Sequence, residues 1–501
     1  MKASKVINNG IINLTTQVIP IFIALIFIPI SIKAFGNELF GVYSLVVTFI
    51  VLFNYLNFGI APATTKELAK YLAQNNSQKV ISLLINSFLM MFFIGLVLAG
   101  IFLLFHHQIS IYMFEKSLNL QDVFSQLLQL LGFLSPFLML VIFLRSVLEA
   151  KHLFLITSLN RAFLNSMVFI SPILVFIENF TIISVFKFLI IVYIVSTFIL
   201  SFFVYREYFK NKSLSFNILD SKVLMQIGFW MMLSSLSGIG LYYTDRFIIG
   251  SVISATAVAY YVASYDLVTR LNIISGSLTS ALFPAFSHWF ETQELKKIRS
   301  AVIFVSKVIS FIVAIISFIL IVYAQELLTF WINAEYSEHS YLLLQYLTIG
   351  VFFNTLSVVP FRTLSAIGFQ KIVAIVYIVE APLTVIMLYY MILNYGLIGA
   401  VIGYNIRAFI EVVVLYSILI HKNIGLNFHL QIVALSKFIL FLLFIFITAF
   451  LITNVASSLM KIIVVISILI GIVSMFYLYI LSNNEKKKFV EYKEKIIGKL
   501  K

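Results

Sequence analysis

The chain has 501 residues, is 62% hydrophobic and only 11% charged, and contains no cysteine. Soluble proteins use about 25% charged residues and cannot hide this much apolar surface, so a soluble fold is excluded. The missing cysteines exclude disulfides, thiolate catalysis and cysteine metal sites. The net charge of +14 leaves nucleic acid or anionic lipid as partners, and the placement of the charges decides between them.

Apolar runs long enough to cross a bilayer recur from end to end. About fourteen spans are predicted, at roughly 8–32, 40–61, 81–105, 124–144, 153–177, 181–204, 224–253, 257–279, 300–323, 341–360, 372–393, 397–420, 432–453 and 460–481. The first is too long for a signal peptide and lacks a small-residue cleavage site. It carries a neutral polar stripe, Asn9, Asn13 and Gln17, and is bent by Pro20 and Pro29. Asn54 and Asn57 extend that character into the second span, and Asn160, Arg161 and Asn165 into the fifth. The adjacent histidines of "HHQIS" (106–110) cannot share a helical metal face. The seventh span contains the small-residue run "SSLSGIGLYY" (234–243), suited to close packing or a bend, then Asp245 and Arg246. After the last span comes a basic polar tail, "NNEKKKFVEYKEKIIGKLK".

With the amino terminus placed in the cytoplasm, only Lys33, Lys116 and Lys461 of the 34 Lys and Arg fall in outward loops. Seven lie inside spans and the rest gather on the inner side, so both termini are expected in the cytoplasm. This topogenic charge accounts for most of the net charge without nucleic acid, and the tail is placed to meet anionic membrane lipid.

The intramembrane cations are Arg161, Lys187, Arg246, Arg270, Lys307, Arg407 and Lys437, and the acids are Asp245, Asp266, Glu380 and Glu411. Each would cost roughly 2.5–3.5 kcal/mol facing lipid at mid-depth, so most should face a partner or a watery cavity. Lys187 and Lys437 sit near span ends and are expected to snorkel. The spacings of Asp266 to Arg270 and of Arg407 to Glu411 put each pair on one helix face. Asp245 and Arg246 are adjacent, so they point about 100° apart and need separate partners, with Asp266 and Arg270 on the next span as candidates. Buried pairs that glue helices are the structural reading of any one of these residues. For the set, the excess of cations favours a cavity for an anionic substrate. Arg246, Arg270, Arg161 and Lys307 are its candidate binding cations. Asp245, Asp266, Glu380 and Glu411 are candidate carriers of a coupling H+ or Na+. No phosphate-binding loop for ATP, catalytic residue, cofactor or metal site is read from the chain.

Two pairs of segments repeat in order. "KAFGNELFGVYSLVV" (33–47) matches "GSVISATAVAYYVASYDLV" (250–268), with Tyr43 and Tyr261 in equivalent places. "NFGIAPATTKELAKYLAQNNSQKV" (57–80) matches "ALFPAFSHWFETQELKKIRSAV" (281–302), with Pro62 and Pro284 at equivalent exits. This predicts a six-helix half at 1–212, a second at 213–428, and an extra helix pair with the tail at 429–501. Repeats of this kind are a transporter device, with the substrate path between the halves.

"AFGNELFGVYSLVVTFIVLFNYLNFGIAPATTKELA" resembles the opening of Wzx-type polysaccharide flippases, with Asn57 where those have Asp. "YYTDRFIIGSVISATAVAYYVASYDL" is similar to that family's second signature. The resemblance implies an all-α integral membrane protein with the V-shaped fold of the multidrug/oligosaccharidyl-lipid/polysaccharide (MOP) exporters. It also implies turnover of an undecaprenyl-pyrophosphate-linked oligosaccharide across the inner membrane, for O-antigen, capsule or a similar glycan. A polysaccharide polymerase is an implied partner. A lipid II flippase is the nearest alternative. A MATE-type multidrug exporter fits less well, because that branch usually has twelve spans and an acidic lumen.

Overall fold

The structure, a computed structural model, describes residues 3–176, 180–209, 238, 240–421, 444–453 and 458–480. Every regular element among them is helical. Lipid imposes this, since a spanning chain must satisfy its own backbone hydrogen bonds. Nine helices among the described residues are long and apolar enough to cross a membrane. Two of these, Val18–Phe53 and Gln370–His421, each hold two predicted spans separated by a break. The breaks fall at Gly36 (φ 74°, ψ 167°) and Gly396 (φ 59°, ψ −140°). Glycine is needed at both because a Cβ disfavours positive φ. The predicted seventh, eighth and thirteenth spans are not among the nine. Lys437, the basic tail and most of the Ser-Gly run lie outside the described residues, as do the side chains of Asn9, Asn13 and Gln17.

Three expectations are corrected. The second span ends at Phe53, and residues 54–59 form a turn before the helix Ile60–Ala73. Asn57 makes that turn: its Oδ1 accepts the Gly59 N–H at 2.9 Å, and its amide donates to the Asn54 carbonyl. Such local bonds compete with the helix ladder, and Phe58 and Gly59 take positive φ beside them. Asn54 and Asn57 are therefore turn residues and not a helical stripe. The eighth span is cut into Ala255–Thr269 and Asn272–Glu291. Ile273 and Ile274 donate three residues back at the cut, the tighter 3-10 spacing, which changes the helical phase. Arg270 sits in the break, so its spacing from Asp266 does not run along one helix. The fourth span runs over Leu118–Ala150, which puts Arg145 and Glu149 in a helix where an inner loop is predicted. His152, at φ 60°, ends the run.

The chain divides into two compact units, Met1–Ala263 with Ala374–Gly403, and Ser264–Val373 with Tyr404–Lys501. In the first, Leu118–Ala150 packs along Ser77–Met113 and Ile182–Val204, and the opening helix packs on Phe154–Ile170. Leu127, Leu128, Leu131, Leu134 and Val147 are fully buried there. The repeated stretches meet in this unit: a Cβ on Gly41 would lie 1.8 Å from the Ala255 carbonyl oxygen. Tyr43 and Tyr261 are both buried. Tyr43 donates its hydroxyl to the Val168 carbonyl and Tyr261 donates to Asp245, each at 2.5 Å.

In the second unit, Asn272–Glu291, Leu295–Val322 and Ala324–Trp331 all pack on Ala334–Ala366. Val313, Phe318, Leu344 and Leu347 form its core. Large apolar side chains such as Phe22, Phe198, Ile386 and Leu451 are exposed, as expected of surfaces solvated by lipid tails.

Candidate functional site

Three clusters of polar side chains in the described helices contain predicted site residues. The first surrounds the adjacent acid and base. Asp245 lies in the first turn of Thr244–Val252, where a carboxylate complements the helix dipole. Its Oδ1 accepts the Arg246 backbone N–H at 2.8 Å and its Oδ2 accepts the Tyr261 hydroxyl. Arg246 points elsewhere: its Nη1 donates to Thr48 Oγ1 at 3.2 Å, and its guanidinium lies 5.7 Å from the Tyr243 ring centroid. Asp245 and Arg246 are 4% and 7% exposed. The 100° step between neighbours on a helix therefore sends one side chain towards 255–269 and the other towards the opening helix.

The second cluster lines a cavity of about 470 Å³ within the first unit. The turn 54–59 contributes Asn54 and Asn57, the helix after it Thr65 and Lys66, Leu118–Ala150 contributes Arg145, Ser146 and Glu149, and Phe154–Ile170 contributes Arg161. Arg161 Nη2 bonds Glu149 Oε1 at 3.0 Å. Arg145 Nε donates to Asn160 Oδ1 at 2.8 Å, and Asn160 donates in turn to Ser196 Oγ at 2.6 Å. That chain holds the guanidinium plane in place. Thr65 Oγ1 donates to the Ser146 carbonyl at 2.9 Å and ties the two walls together.

The third cluster lies in the second unit. Arg407 and Glu411 pair at 2.9 Å, one helical turn apart, each side chain 1% exposed. Glu411 also accepts from Ser357 Oγ at 3.0 Å and, more weakly, from Asn354 Nδ2 at 3.5 Å.

Of the other predicted residues, Asp266 is half-buried on 255–269, Arg270 half-buried in the break after it, and Lys307 half-buried within Leu295–Val322. Glu380 is half-buried on the first arm of Gln370–His421. Lys187 is exposed near the start of its helix, as snorkelling requires. Arg161 and Arg246 belong to the first unit but to separate clusters. The histidine pair has a packing use: His106 Nδ1 meets Ser125 Oγ at 2.6 Å and its Nε2 meets Gln129 at 2.9 Å.

The chain matches the model of the family described as polysaccharide biosynthesis protein over residues 6–290. The chain belongs to that family. It is 26% identical over 411 residues to the putative O-antigen transporter of Shigella flexneri, covering 82% of this chain and 96% of that protein. It superposes on the lipid II flippase MurJ, in an inward closed conformation, with a TM-score of 0.72. Identity there is 17%, with 94% of this chain and 99% of that one covered. It also superposes on an inward-facing multidrug resistance MATE transporter of the MOP superfamily, with a TM-score of 0.68 and 14% identity. That match covers 83% of this chain and 98% of the transporter. The protein is thus a multi-pass membrane protein of the family with the all-α fold of the MOP superfamily. The first two clusters lie inside the matched 6–290, while the Arg407–Glu411 cluster lies beyond it.

Arg145, Glu149 and Lys66 line this cavity but are not among the candidates read from the sequence, which places them in inner loops. Arg145 and Glu149 did carry a signal, their four-residue spacing, which is the mark of one helix face.

Proposed function

We propose that this family member is a flippase that turns an undecaprenyl-pyrophosphate-linked oligosaccharide repeat unit from the inner to the outer leaflet of the cytoplasmic membrane. The product would feed a surface polysaccharide. The observation that carries the reading is an open polar cavity with more cations than acids, walled in part by two membrane-crossing helices, Leu118–Ala150 and Phe154–Phe176, of a polysaccharide biosynthesis protein. The similarity to a putative O-antigen transporter supports the same substrate class. Both termini lie in the cytoplasm, and the halves 1–212 and 213–428 alternate access, with 429–501 peripheral. Arg246, Arg270, Arg161 and Lys307 meet the anionic group. Arginine suits it because its planar fork grips two phosphate oxygens at once. Asp245, Asp266, Glu380 and Glu411 are the groups able to carry a coupling H+ or Na+. A polysaccharide polymerase receives the product.

The test is deletion of the gene, with surface glycan and lipid-linked intermediates measured. The expected result is loss of the glycan and accumulation of an intact lipid-linked repeat unit, both reversed by the wild-type chain. Accumulation of lipid II would favour the peptidoglycan-precursor alternative, whose fold this chain shares. Normal glycan with lost drug resistance would sink the proposal.

A further inference from the structure

The four charged side chains lining the 470 Å³ cavity are Lys66, Arg145, Glu149 and Arg161. Glu149 and Arg161 are bonded to each other and offset in charge. Lys66 and Arg145 remain as a positive excess of two. Arg145 is 9% exposed and lines the cavity, and among the described residues its hydrogen bond to Asn160 uses Nε, which leaves the fork of two terminal amino groups to serve a ligand. Lys66 stands on the helix that starts beyond the Asn57 turn. The rest of the lining is rich in neutral hydrogen-bonding groups: Asn54, Asn57, Thr65 and Ser146. The cavity's volume falls in the range of small-ligand sites, where a few placed polar groups fix the ligand's orientation, and Ala61, Pro62 and Ile142 supply apolar wall.

We propose that this cavity is a seat for a diphosphate diester joined to its first sugar, with Arg145 and Lys66 binding the two phosphates. Such a diester carries one negative charge on each phosphate, which balances the excess. The planar Arg145 fork would take two oxygens of one phosphate, and the Lys66 ammonium would act as a point charge on the other. Glu149, oriented by Arg161, and the amides of Asn54 and Asn57 supply acceptors and donors suited to sugar hydroxyls. The seat deepens the flippase reading and rests on it. It makes this cavity one station on the substrate's path, where Arg145 and Lys66 hold the diphosphate and Arg161 takes part through Glu149; Arg246, Arg270 and Lys307 would meet the anionic group elsewhere along that path.

The cysteine-free chain allows a direct test. Pro62 is exposed and lines the cavity, so Pro62→Cys in the purified full chain reports entry through its rate of thiol labelling. The probes are citronellyl-diphospho-N-acetylglucosamine, the matching citronellyl monophosphate and phosphatidylglycerol in mixed micelles. The diphosphate probe is expected to slow labelling at concentrations where the other two do not. Lys66→Gln is expected to raise the half-protecting concentration about tenfold, the loss of one hydrogen bond to a charged group. Arg145→Gln is expected to raise it further, and Arg145→Lys to restore part. Lys66 is exposed, so its variant keeps the test valid if the buried Arg145 change disturbs folding. Equal protection by phosphatidylglycerol would make the cavity a phospholipid headgroup site and overturn the assignment. A reactive cysteine unprotected by every probe would overturn it too. The deletion phenotype is read separately: normal surface glycan beside diphosphate protection defeats the flippase reading and leaves the seat standing.

Discussion

Asp245 shows how the environment sets the meaning of one side chain. Its carboxylate is buried, and its donors include the Tyr261 hydroxyl and the Arg246 backbone N–H. A hydrogen bond to a charged group contributes about 1.5–3 kcal/mol, and deleting the donor leaves the carboxylate less satisfied. Tyr261→Phe removes one hydroxyl and keeps the ring. It is therefore expected to lower stability by about that amount, seen as a reduced melting temperature in detergent; an unchanged melt would show the bond to be dispensable. Arg407 and Glu411 make a sharper case, because both are almost fully buried. Glu411→Gln takes away the carboxylate facing Arg407 and is expected to cost about 3–5 kcal/mol. A double change to Met and Leu should recover much of that loss, since an apolar pair of similar volume avoids the desolvation of both charges. Failure of the double variant to recover would show that the pair also stabilises the fold through its bonds to Ser357 and Asn354.

At the scale of helices, the contact between the opening helix and the start of Ala255–Thr269 sets a tight limit. A Cβ at Gly41 would meet backbone, the Ala255 oxygen at 1.8 Å and its carbon at 2.5 Å. No rotamer change relieves a clash with a carbonyl, so the helices must separate. Gly41→Ala is expected to cost about 1–3 kcal/mol, the usual range for overpacking. Gly100 has nothing within 4 Å of its Cβ position, and it lies inside Ser77–Met113. Gly100→Ala should therefore raise helix stability by up to about 1 kcal/mol. Melting temperatures of the two variants should move in opposite directions; a fall in both would mean the Gly41 contact is not special.

At the scale of the molecule, the distribution of Lys and Arg predicts the topology. Lys116, at the turn between Ser77–Met113 and Leu118–Ala150, is expected outside. Lys297, at the start of Leu295–Val322, is expected inside. A membrane-impermeant thiol reagent should label Lys116→Cys in intact cells and Lys297→Cys only after permeabilisation. The reverse pattern would invert the chain, and with it the leaflet from which substrate enters.

Hydropathy and composition alone determined that the chain crosses a membrane many times as helices, because a run of apolar residues has no other low-energy home. The breaks between the first two spans and between the eleventh and twelfth were legible as well. Gly36 and Gly396 sit at short interruptions in long apolar runs, where only glycine tolerates the backbone angles. The pairing of Arg407 with Glu411 followed from helix periodicity. The divergence of Asp245 and Arg246 did too, though their partners Tyr261 and Thr48 did not. The turn at 54–59 was not legible, since hydropathy carries no record of the Asn57 amide folding back on the backbone. Nor was the cavity. Its walls come from three helices and a turn spread between Asn54 and Arg161, and only packing brings them together. Arg145 and Glu149 looked like loop charges because a hydropathy window ends where charge begins. In the folded unit that last helical turn faces Arg161 and Asn160, whose side chains satisfy Glu149 and Arg145, so the charges that end a hydropathy window do not end the helix, which stops only before His152.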